Sequence, residues 1–267
     1  MNKYRIGTAL IIGLLFAVLT VALLFSGGGK EDSKINIGAP YDSGGMIIHY
    51  LITAKKFQVA KVMDDFAMYP INDCCTSTSE WALSTDELDI ALLCPDAAKE
   101  LVEKDRRFEI AGPALVNSDV IVITPGIKPQ RVSFSQKRNY QKELVSRKFG
   151  PECAAVPMLS AAVPYALGKK AVDGAVVDIL KGILLKGEKI SSAGKDSDLV
   201  TYVLVVRKDF RKDPLYPRFM ALLKEAVDEL NTPGVLIKEV KEFKKIDLTV
   251  PEVEQWGQLK IRYVFPG

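Results

Sequence analysis

The chain has 267 residues, of which 48% are apolar and 26% are charged, and this balance excludes a disordered or coiled-coil protein. The 36 basic residues are interleaved with 33 acidic ones for a formal charge of +3, so no basic block predicts nucleic acid as a partner. The length fits one large domain or two lobes that each bury a core.

The first feature in chain order is an uncharged, apolar run over residues 6–25, preceded by Lys3 and Arg5. A run of about 20 apolar residues can cross a membrane as a helix, and basic residues before it favour export of the rest of the chain. We therefore expect an extracytoplasmic protein with an N-terminal hydrophobic helix, tethered to the membrane by residues 6–25 or secreted after signal cleavage behind Gly28. Residues 1–33 are expected to comprise this helix and a flexible tether.

From residue 34 onward, β-rich runs alternate with helical stretches, which predicts parallel sheets flanked by helices. Strands are predicted at residues 34–40, 66–71, 88–94, 108–116, 118–124, 131–136, 153–159, 173–178 and 199–210. Helices are predicted at residues 45–56, 76–87, 97–105, 139–150, 161–171, 179–187, 214–231 and 253–263. We expect one lobe to comprise residues 34–118 and 205–267 and the other residues 119–204, with crossover strands at 118–124 and 199–206.

Five segments carry a resemblance to a known fold. They are INIGAPYDSGG (35–45), ELDIALLCPDAAKELVEKD (87–105), GPALVNSDVIVIT (112–124), DGAVVD (173–178) and TYVLVVRKDF (201–210). Their order resembles the type II periplasmic-binding-protein fold, in particular the nitrate/sulfonate/taurine-type solute-binding proteins of ABC transporters. The similarity covers nearly all of residues 34–243 and implies an α/β fold of two lobes, each a mainly parallel sheet flanked by helices.

The resemblance also implies that the protein binds a ligand and does not catalyse a reaction. A protein of this kind captures a small-molecule solute and delivers it to an ABC permease driven by its ATPase. We expect a monomer that needs no cofactor and no metal. Two other functions stay open: an enzyme on the same fold, such as a pyrimidine-precursor synthase or a menaquinone-pathway dehydratase, and a ligand-sensing domain.

Candidate ligand contacts lie in the loops after the predicted strands, because ligands of open α/β sheets bind beyond the carboxyl ends of the strands, near helix N-termini. In the first lobe these residues are Tyr41, Asp42, Ser43, Gly44, Thr76, Ser77, Cys94 and Asp96, with Asn117 at the crossover. In the second lobe they are Ser133, Ser135, Gln136, Pro157, Met158 and Asp178.

Glycines and small hydroxyls at these positions suit a small polar or anionic solute, with Tyr41, Phe134 or Met158 as apolar walls. The same hydroxyls could simply cap helices. The aspartates could instead contact a cationic group, so the preferred charge of the solute stays open.

The cysteines allow several interpretations. The adjacent pair Cys74 and Cys75, together with Cys94, could pack under a loop, form a Cys75–Cys94 disulfide, or hold a metal or redox site. Four cysteines are too few for a disulfide framework in this chain, and their spacing fits no zinc site.

Three further side chains have a structural and a functional interpretation. The single histidine, His49, lies in an apolar stretch, which favours a packed histidine over a ligand or catalytic base. Lys137 and Arg138 stand near a predicted helix start, where a cation is disfavoured unless an anion is bound nearby. They indicate either an anionic ligand or a solvated charge pair.

Overall fold

The computed structural model describes residues 35–55, 59–64 and 88–267. The predicted N-terminal helix, the strand at 66–71, the helix at 76–87, and residues Cys74, Cys75, Thr76 and Ser77 lie outside the described residues. Within those three ranges, no helix has the length and apolar character needed to span a bilayer. The anchor therefore stays a prediction.

The described residues form eleven strands and eight α-helices. The strands are β1 (Ile35–Ala39), β2 (Val59–Asp64), β3 (Ile90–Leu93), β4 (Phe108–Val116), β5 (Asp119–Ile123), β6 (Arg131–Ser135), β7 (Ala154–Met158), β8 (Gly174–Asp178), β9 (Glu188–Ile190), β10 (Val200–Arg207) and β11 (Arg262–Tyr263). The helices are α1 (Ser43–Thr53), α2 (Pro95–Lys104), α3 (Asn139–Phe149), α4 (Ala162–Gly168), α5 (Ile179–Gly182), α6 (Leu215–Leu230), α7 (Pro233–Lys244) and α8 (Val250–Gln258).

These strands make two mixed sheets. Sheet A has the order β11-β4-β10-β3-β1-β2, and sheet B has the order β7-β6-β8-β5-β9. The pairs of β1 with β2 and β3 and of β6 with β7 and β8 are parallel, whereas β10, β11 and β5 pair antiparallel to their neighbours. Among the described strands, two of five pairs in sheet A and two of four pairs in sheet B are parallel, so the sheets are mixed and the prediction of mainly parallel sheets is confirmed only in part. A parallel pair needs a long crossover connection, usually a helix. Strands β5 and β10 each follow a connection that comes directly from the other sheet, and both run antiparallel to their neighbours.

The chain passes twice between the sheets. The first passage is short, since only Asn117 and Ser118 separate β4 in sheet A from β5 in sheet B. The second spans residues 191–199 between β9 and β10. All of β10 belongs to sheet A, so a division of the chain by sheets would fall before residue 200 rather than between residues 204 and 205. The division into two moving lobes stays a prediction.

Helices cover both faces of each sheet. On sheet A, α1 and α6 pack on one face through Met46 and Phe219, and α2 covers the other through Leu101. On sheet B, α3 contributes Leu144 to one face, while α4 and α5 lie on the other. Burial on both faces explains why β3, β5, β8 and β10 consist mostly of apolar residues without alternation.

Three C-terminal details differ from the prediction. The helix predicted at 179–187 ends at Gly182, and the one predicted at 253–263 spans Val250–Gln258 and is followed by β11. Helix α7 was not predicted, because the sequence TPG after residue 231 is typical of a helix end. Here Pro233 instead opens a new helix, since proline is well tolerated in the first turn.

Candidate functional site

Polar side chains from the two sheets meet along one line of contact, which we call the seam. The seam comprises Asp42, Ser43, Asp96 and Tyr202 from elements on sheet A, and Asp119, Arg138, Tyr140, Gln141 and Asp178 from elements of sheet B. Seven of the candidate residues from the sequence lie in or against it: Asp42, Ser43, Gly44, Cys94, Asp96, Ser135 and Asp178.

The loop from β1 to α1 builds the sheet A side of the seam. The Asp42 carboxylate accepts a hydrogen bond from the Gly44 amide at 2.9 Å and so caps α1. A Cβ atom on Gly44 would overlap the ring of Tyr202, and one on Gly45 would overlap the carbonyl oxygen of Pro40. Glycine is required at both positions because the helix begins in close contact with its own strand and with β10.

Ser43 and Asp178 join the two sides directly. The Ser43 hydroxyl donates to Asp178 Oδ2, and the Ser43 amide donates to Asp178 Oδ1 at 3.3 Å. The same carboxyl accepts from the Leu180 amide at 3.0 Å and caps α5. Among residues 35–55, 59–64 and 88–267, no lysine, arginine or histidine forms an ion pair with Asp178. A buried carboxyl at the contact between the sheets is thus held by neutral donors alone.

This environment disfavours the ionised form of Asp178. Burial is the main cause, followed by the Asp42 carboxylate, and the Asp119 carboxylate adds to them; together they raise the pKa of Asp178 to about 7. The hydrogen bond from Ser43 and the charge of Lys181 act in the opposite direction. In this environment Asp178 is therefore a carboxyl that carries a proton over much of the mildly acidic range.

Asp119 stands directly opposite Asp178 in the β5–β8 pair and has different partners. Arg138 Nη1 lies 3.3 Å from each Asp119 carboxylate oxygen, and the Tyr140 hydroxyl and Gln141 Nε2 each donate to Asp119 at 2.6 Å. Both side chains of the ion pair are at most 5% exposed. Burial raises the pKa of the Tyr140 hydroxyl well above its usual value, so this hydroxyl stays a donor.

The Arg138 group also reaches the other sheet. Arg138 Nη2 donates to the Tyr202 hydroxyl at 3.3 Å, and that hydroxyl in turn donates to Asp42. The Tyr140 amide donates to Asp96 at 3.3 Å. The interpretation of Arg138 as part of a solvated charge pair was therefore wrong, because the anion near this helix start is the protein's own Asp119; Lys137 beside it is exposed.

Two other candidate residues of the first half, Tyr41 and Asn117, have structural partners away from the seam. The Tyr41 hydroxyl donates to the Phe243 carbonyl at 3.0 Å, and Lys244 Nζ lies 3.3 Å from the centre of the Tyr41 ring. Asn117 has a left-handed backbone with φ of 60°, and its side chain donates to Asp198 and to the Lys260 carbonyl at the passage between the sheets. Cys94 is buried before the first turn of α2.

The candidates from β6 and β7 lie within sheet B. Ser133 is buried and donates to the Gly174 carbonyl at 3.3 Å. The Ser135 hydroxyl donates to Ser160 at 3.2 Å, and the Ser135 amide donates to Gln141 Oε1 in the seam at 2.9 Å. The Gln136 amide donates to the carbonyl of Met158, itself half-buried against the core, and Pro157 is exposed on the edge strand β7. Whether any of these residues contacts a solute stays a prediction.

Sequence reasoning missed Asp119, Tyr140, Gln141 and Tyr202. Asp119 and Tyr202 are polar side chains inside otherwise apolar strands, and that exception was the available signal. Tyr140 and Gln141 lie in the first turn of α3, directly after the Arg138 that the sequence did single out. Their joint target, Asp119, becomes visible only when α3 is packed on sheet B.

The histidine lies outside the seam, Cys94 packs against the Tyr140 side chain, and Cys74 and Cys75 lie outside the described residues. Half-buried His49 places Nδ1 2.6 Å from the buried Glu239 carboxylate, in agreement with a packed histidine. Cys94 lies in the described part of the chain, but Cys74 and Cys75 do not, so the Cys75–Cys94 disulfide stays a prediction. In the described part of the chain, no three His, Cys, Asp or Glu side chains group as metal ligands would.

Comparison with solved structures identifies the fold. The ligand-binding component of an ABC-type import system from Staphylococcus aureus, solved with zinc bound, is similar with a TM-score of 0.66 at 14% identity, over 87% of this chain and 85% of that one. The alkanesulfonate-binding protein SsuA from Xanthomonas axonopodis pv. citri, bound to MOPS, has a TM-score of 0.61 at 12% identity, over 88% of each chain. A nutrient-binding protein from Burkholderia cenocepacia bound to methionine has a TM-score of 0.53 at 17% identity, over 86% of this chain and 100% of that one.

At these identities the likeness concerns the fold alone, and at that level the resemblance to periplasmic solute-binding proteins is confirmed. No protein-family model and no curated protein matches the sequence. The three similar structures are ligand-binding proteins, and their named ligands are a metal ion, a sulfonate buffer and an amino acid.

Proposed function

We propose that this chain is an extracytoplasmic solute-binding protein of an ABC-type importer, which captures a small polar solute between its two sheets. The observation that carries the proposal is the seam, where buried polar groups from both sheets face each other at strand ends and helix starts. A protein interior seldom collects carboxylates, a guanidinium and hydroxyls unless they serve structure or a ligand.

The fold supports this proposal. Structures similar over at least 86% of this chain are described as ligand-binding or nutrient-binding proteins, and they take chemically different ligands. The direct passage at Asn117 and Ser118 offers a short connection about which two sheets can move. The apolar run at residues 6–25 supports export, and a permease with its ATPase would be the partner.

The first test is a thermal-shift screen of the full-length chain against nitrate, sulfonates, thiamine precursors, amino acids and metal ions. A solute that binds only the folded state at a hundredfold excess over its dissociation constant stabilises that state by about 2.7 kcal/mol. We expect at least one hit that calorimetry confirms and that chromatography recovers chemically unchanged. A hit that is converted to product would support the alternative of an enzyme and contradict a pure binding role.

Two matched variants then locate the site. Tyr202→Phe removes a hydroxyl in the seam, whereas Tyr41→Phe removes one whose partner is the Phe243 carbonyl. We expect Tyr202→Phe to weaken binding of the hit by about tenfold or more, the effect of one hydrogen bond to a charged group, and Tyr41→Phe to leave it nearly unchanged. The opposite pattern would place the solute beside Tyr41 rather than beside Tyr202 and contradict binding in the seam.

A further inference from the structure

The contact between Ser43 and Asp178 joins elements that pack on different sheets. Ser43 begins α1 on sheet A, and Asp178 ends β8 in sheet B; both are buried, with Asp178 only 6% exposed. If the sheets belong to lobes that part to admit a solute, as the proposed function requires, this contact must break when they part. Asp178 would then pass from a buried position into water.

The charges around Asp178 make that passage depend on protons. The titratable groups that face it are Asp42 before α1, Asp119 on β5, Lys181 on α5 and Tyr263 on β11. Two of these are carboxylates, and the buried guanidinium of Arg138 is engaged by Asp119. An ionised Asp178 is therefore poorly compensated in the closed seam, whereas water would solvate the same charge in an open one.

We propose that the Ser43–Asp178 contact is a proton-dependent latch: protonated Asp178 holds the seam closed, and ionisation of Asp178 favours opening. The protonated carboxyl can donate its own hydrogen to the Ser43 hydroxyl, so the contact survives without a buried charge. The ionised carboxyl keeps its donors but faces Asp42 and Asp119 across the same space.

The size of the effect follows from linkage. Asp178 has a pKa of about 7 in the closed seam, and an aspartate in water has a pKa of about 3.9. Closing therefore takes up close to one proton between these values. The ratio of closed to open molecules should fall by up to about tenfold for each pH unit from pH 5 to about pH 6.5, and should level off above about pH 8.

The test measures the distance between the sheets in the full-length chain without any solute. Fluorescent donor and acceptor dyes are attached through genetically encoded amino acids at Glu143 on α3 and Lys224 on α6, both exposed positions away from the seam. We expect the closed fraction to fall as the pH rises from 5 to 8. In Asp178→Asn, which is permanently neutral, the closed fraction should stay high and independent of pH.

A matched control removes a carboxylate elsewhere. Asp228→Asn lies on the exposed side of α6 and should keep the pH dependence of the parent protein. An unchanged closed fraction in the parent from pH 5 to 8, or an Asp178→Asn variant that retains the parent's pH dependence, would overturn the latch.

If circular dichroism shows that Asp178→Asn does not fold, Ser43→Ala provides a second test of the latch. This variant keeps the carboxyl and removes its cross-sheet hydroxyl partner. It should lower the closed-to-open ratio severalfold at each pH, and an unchanged ratio would contradict the proposal. The latch and the proposed function can fail independently of each other. Solute binding without pH-dependent closure would contradict only the latch. Conversely, pH-dependent closure in a protein that binds no solute of the thermal-shift screen would contradict only the binding role.

Discussion

Asp119 and Asp178 are neighbours at one end of sheet B, but only Asp119 has a cationic partner among the described residues. They are direct partners in the β5–β8 pair, and both are buried at the same end of sheet B. Asp119 has a guanidinium, a phenol and an amide as donors, all from α3 or the residue before it. Asp178 has a hydroxyl and two backbone amides, and two of these three donors come from Ser43 on the other sheet.

The two carboxylates therefore differ in whether their hydrogen-bond donors come from their own sheet or from the other sheet. The partners of Asp119 lie within the same sheet and its helices, so they would stay with Asp119 if the two sheets parted as proposed. The compensation of Asp178 depends on contact with Ser43 and contains no cation among the described residues. Like charges directly opposite each other in a strand pair are destabilising, and here only one of the two carries its own counter-ion.

The largest expected effect comes from removing that counter-ion. Arg138→Met keeps most of the side-chain volume but leaves Asp119 buried without a cation, and we expect a loss of about 3–5 kcal/mol in the free energy of unfolding. Urea denaturation monitored by circular dichroism measures it. Lys128→Met, which removes the cation of the exposed pair with Glu152, is the control and should change stability little. Equal effects of the two variants would mean that Asp119 does not depend on Arg138.

The second largest effect is the pH-dependent contribution of Asp178 to the free energy of unfolding. Its pKa is about 7 in the folded protein and about 3.9 in an unfolded chain, so the folded state binds the proton more tightly. The resulting contribution to stability is complete below about pH 4 and is lost as the pH rises to about 7; the upper limit is about 4 kcal/mol. Asp178→Asn should therefore be more stable than the parent protein at pH 8, with a difference that shrinks toward pH 5.

Paired urea denaturation curves of parent and variant between pH 5 and pH 8 give this difference directly. Other carboxylates titrate in both proteins and cancel in the comparison. These include Asp198, Asp209 and Glu229, whose partners lower their pKa and whose stabilisation is lost as the pH falls. A difference that does not vary with pH would mean that Asp178 keeps one charge state over this range.

The alternation of strands and helices was sufficient to predict most elements of the fold. Strand β8 and helix α6, for example, lie within a residue or two of their predicted ranges. Strand direction was not predictable in the same way, because an apolar run such as β10 has the same composition whether it runs parallel or antiparallel to its neighbours. The mixed sheets result from how the chain passes between them, which local periodicity does not encode.

The site was predictable only in part, for a related reason. Asp42, Ser43 and Asp178 lie at or just beyond strand ends, so the rule that ligands bind beyond strand ends selected these three residues of the seam. Asp119 begins its strand and Tyr202 lies within one, and their partners are brought to them by the packing of α3 and of the two sheets. Such pairings depend on tertiary contacts between residues far apart in sequence.

The smallest effects should distinguish the two aspartates most sharply, through two single-hydroxyl deletions. Tyr140→Phe removes one donor to Asp119, and Ser43→Ala removes one donor to Asp178. Each should cost about 1–3 kcal/mol when its carboxylate is ionised, the range for a hydrogen bond to a charged group. Because burial holds the pKa of Tyr140 well above its usual value, its hydroxyl remains a donor, and the cost of Tyr140→Phe should be constant from pH 5 to 8.

The cost of Ser43→Ala should instead rise with pH. The Ser43 hydroxyl lowers the pKa of Asp178, so it stabilises the ionised carboxylate more than the neutral acid. At pH 5 the loss should be about 1 kcal/mol, the net value of an ordinary hydrogen bond, and it should grow above pH 7 as Asp178 ionises. Parallel pH profiles for the two variants would mean that Asp178 keeps one charge state across this range, and the contrast between the two aspartates would then reduce to geometry.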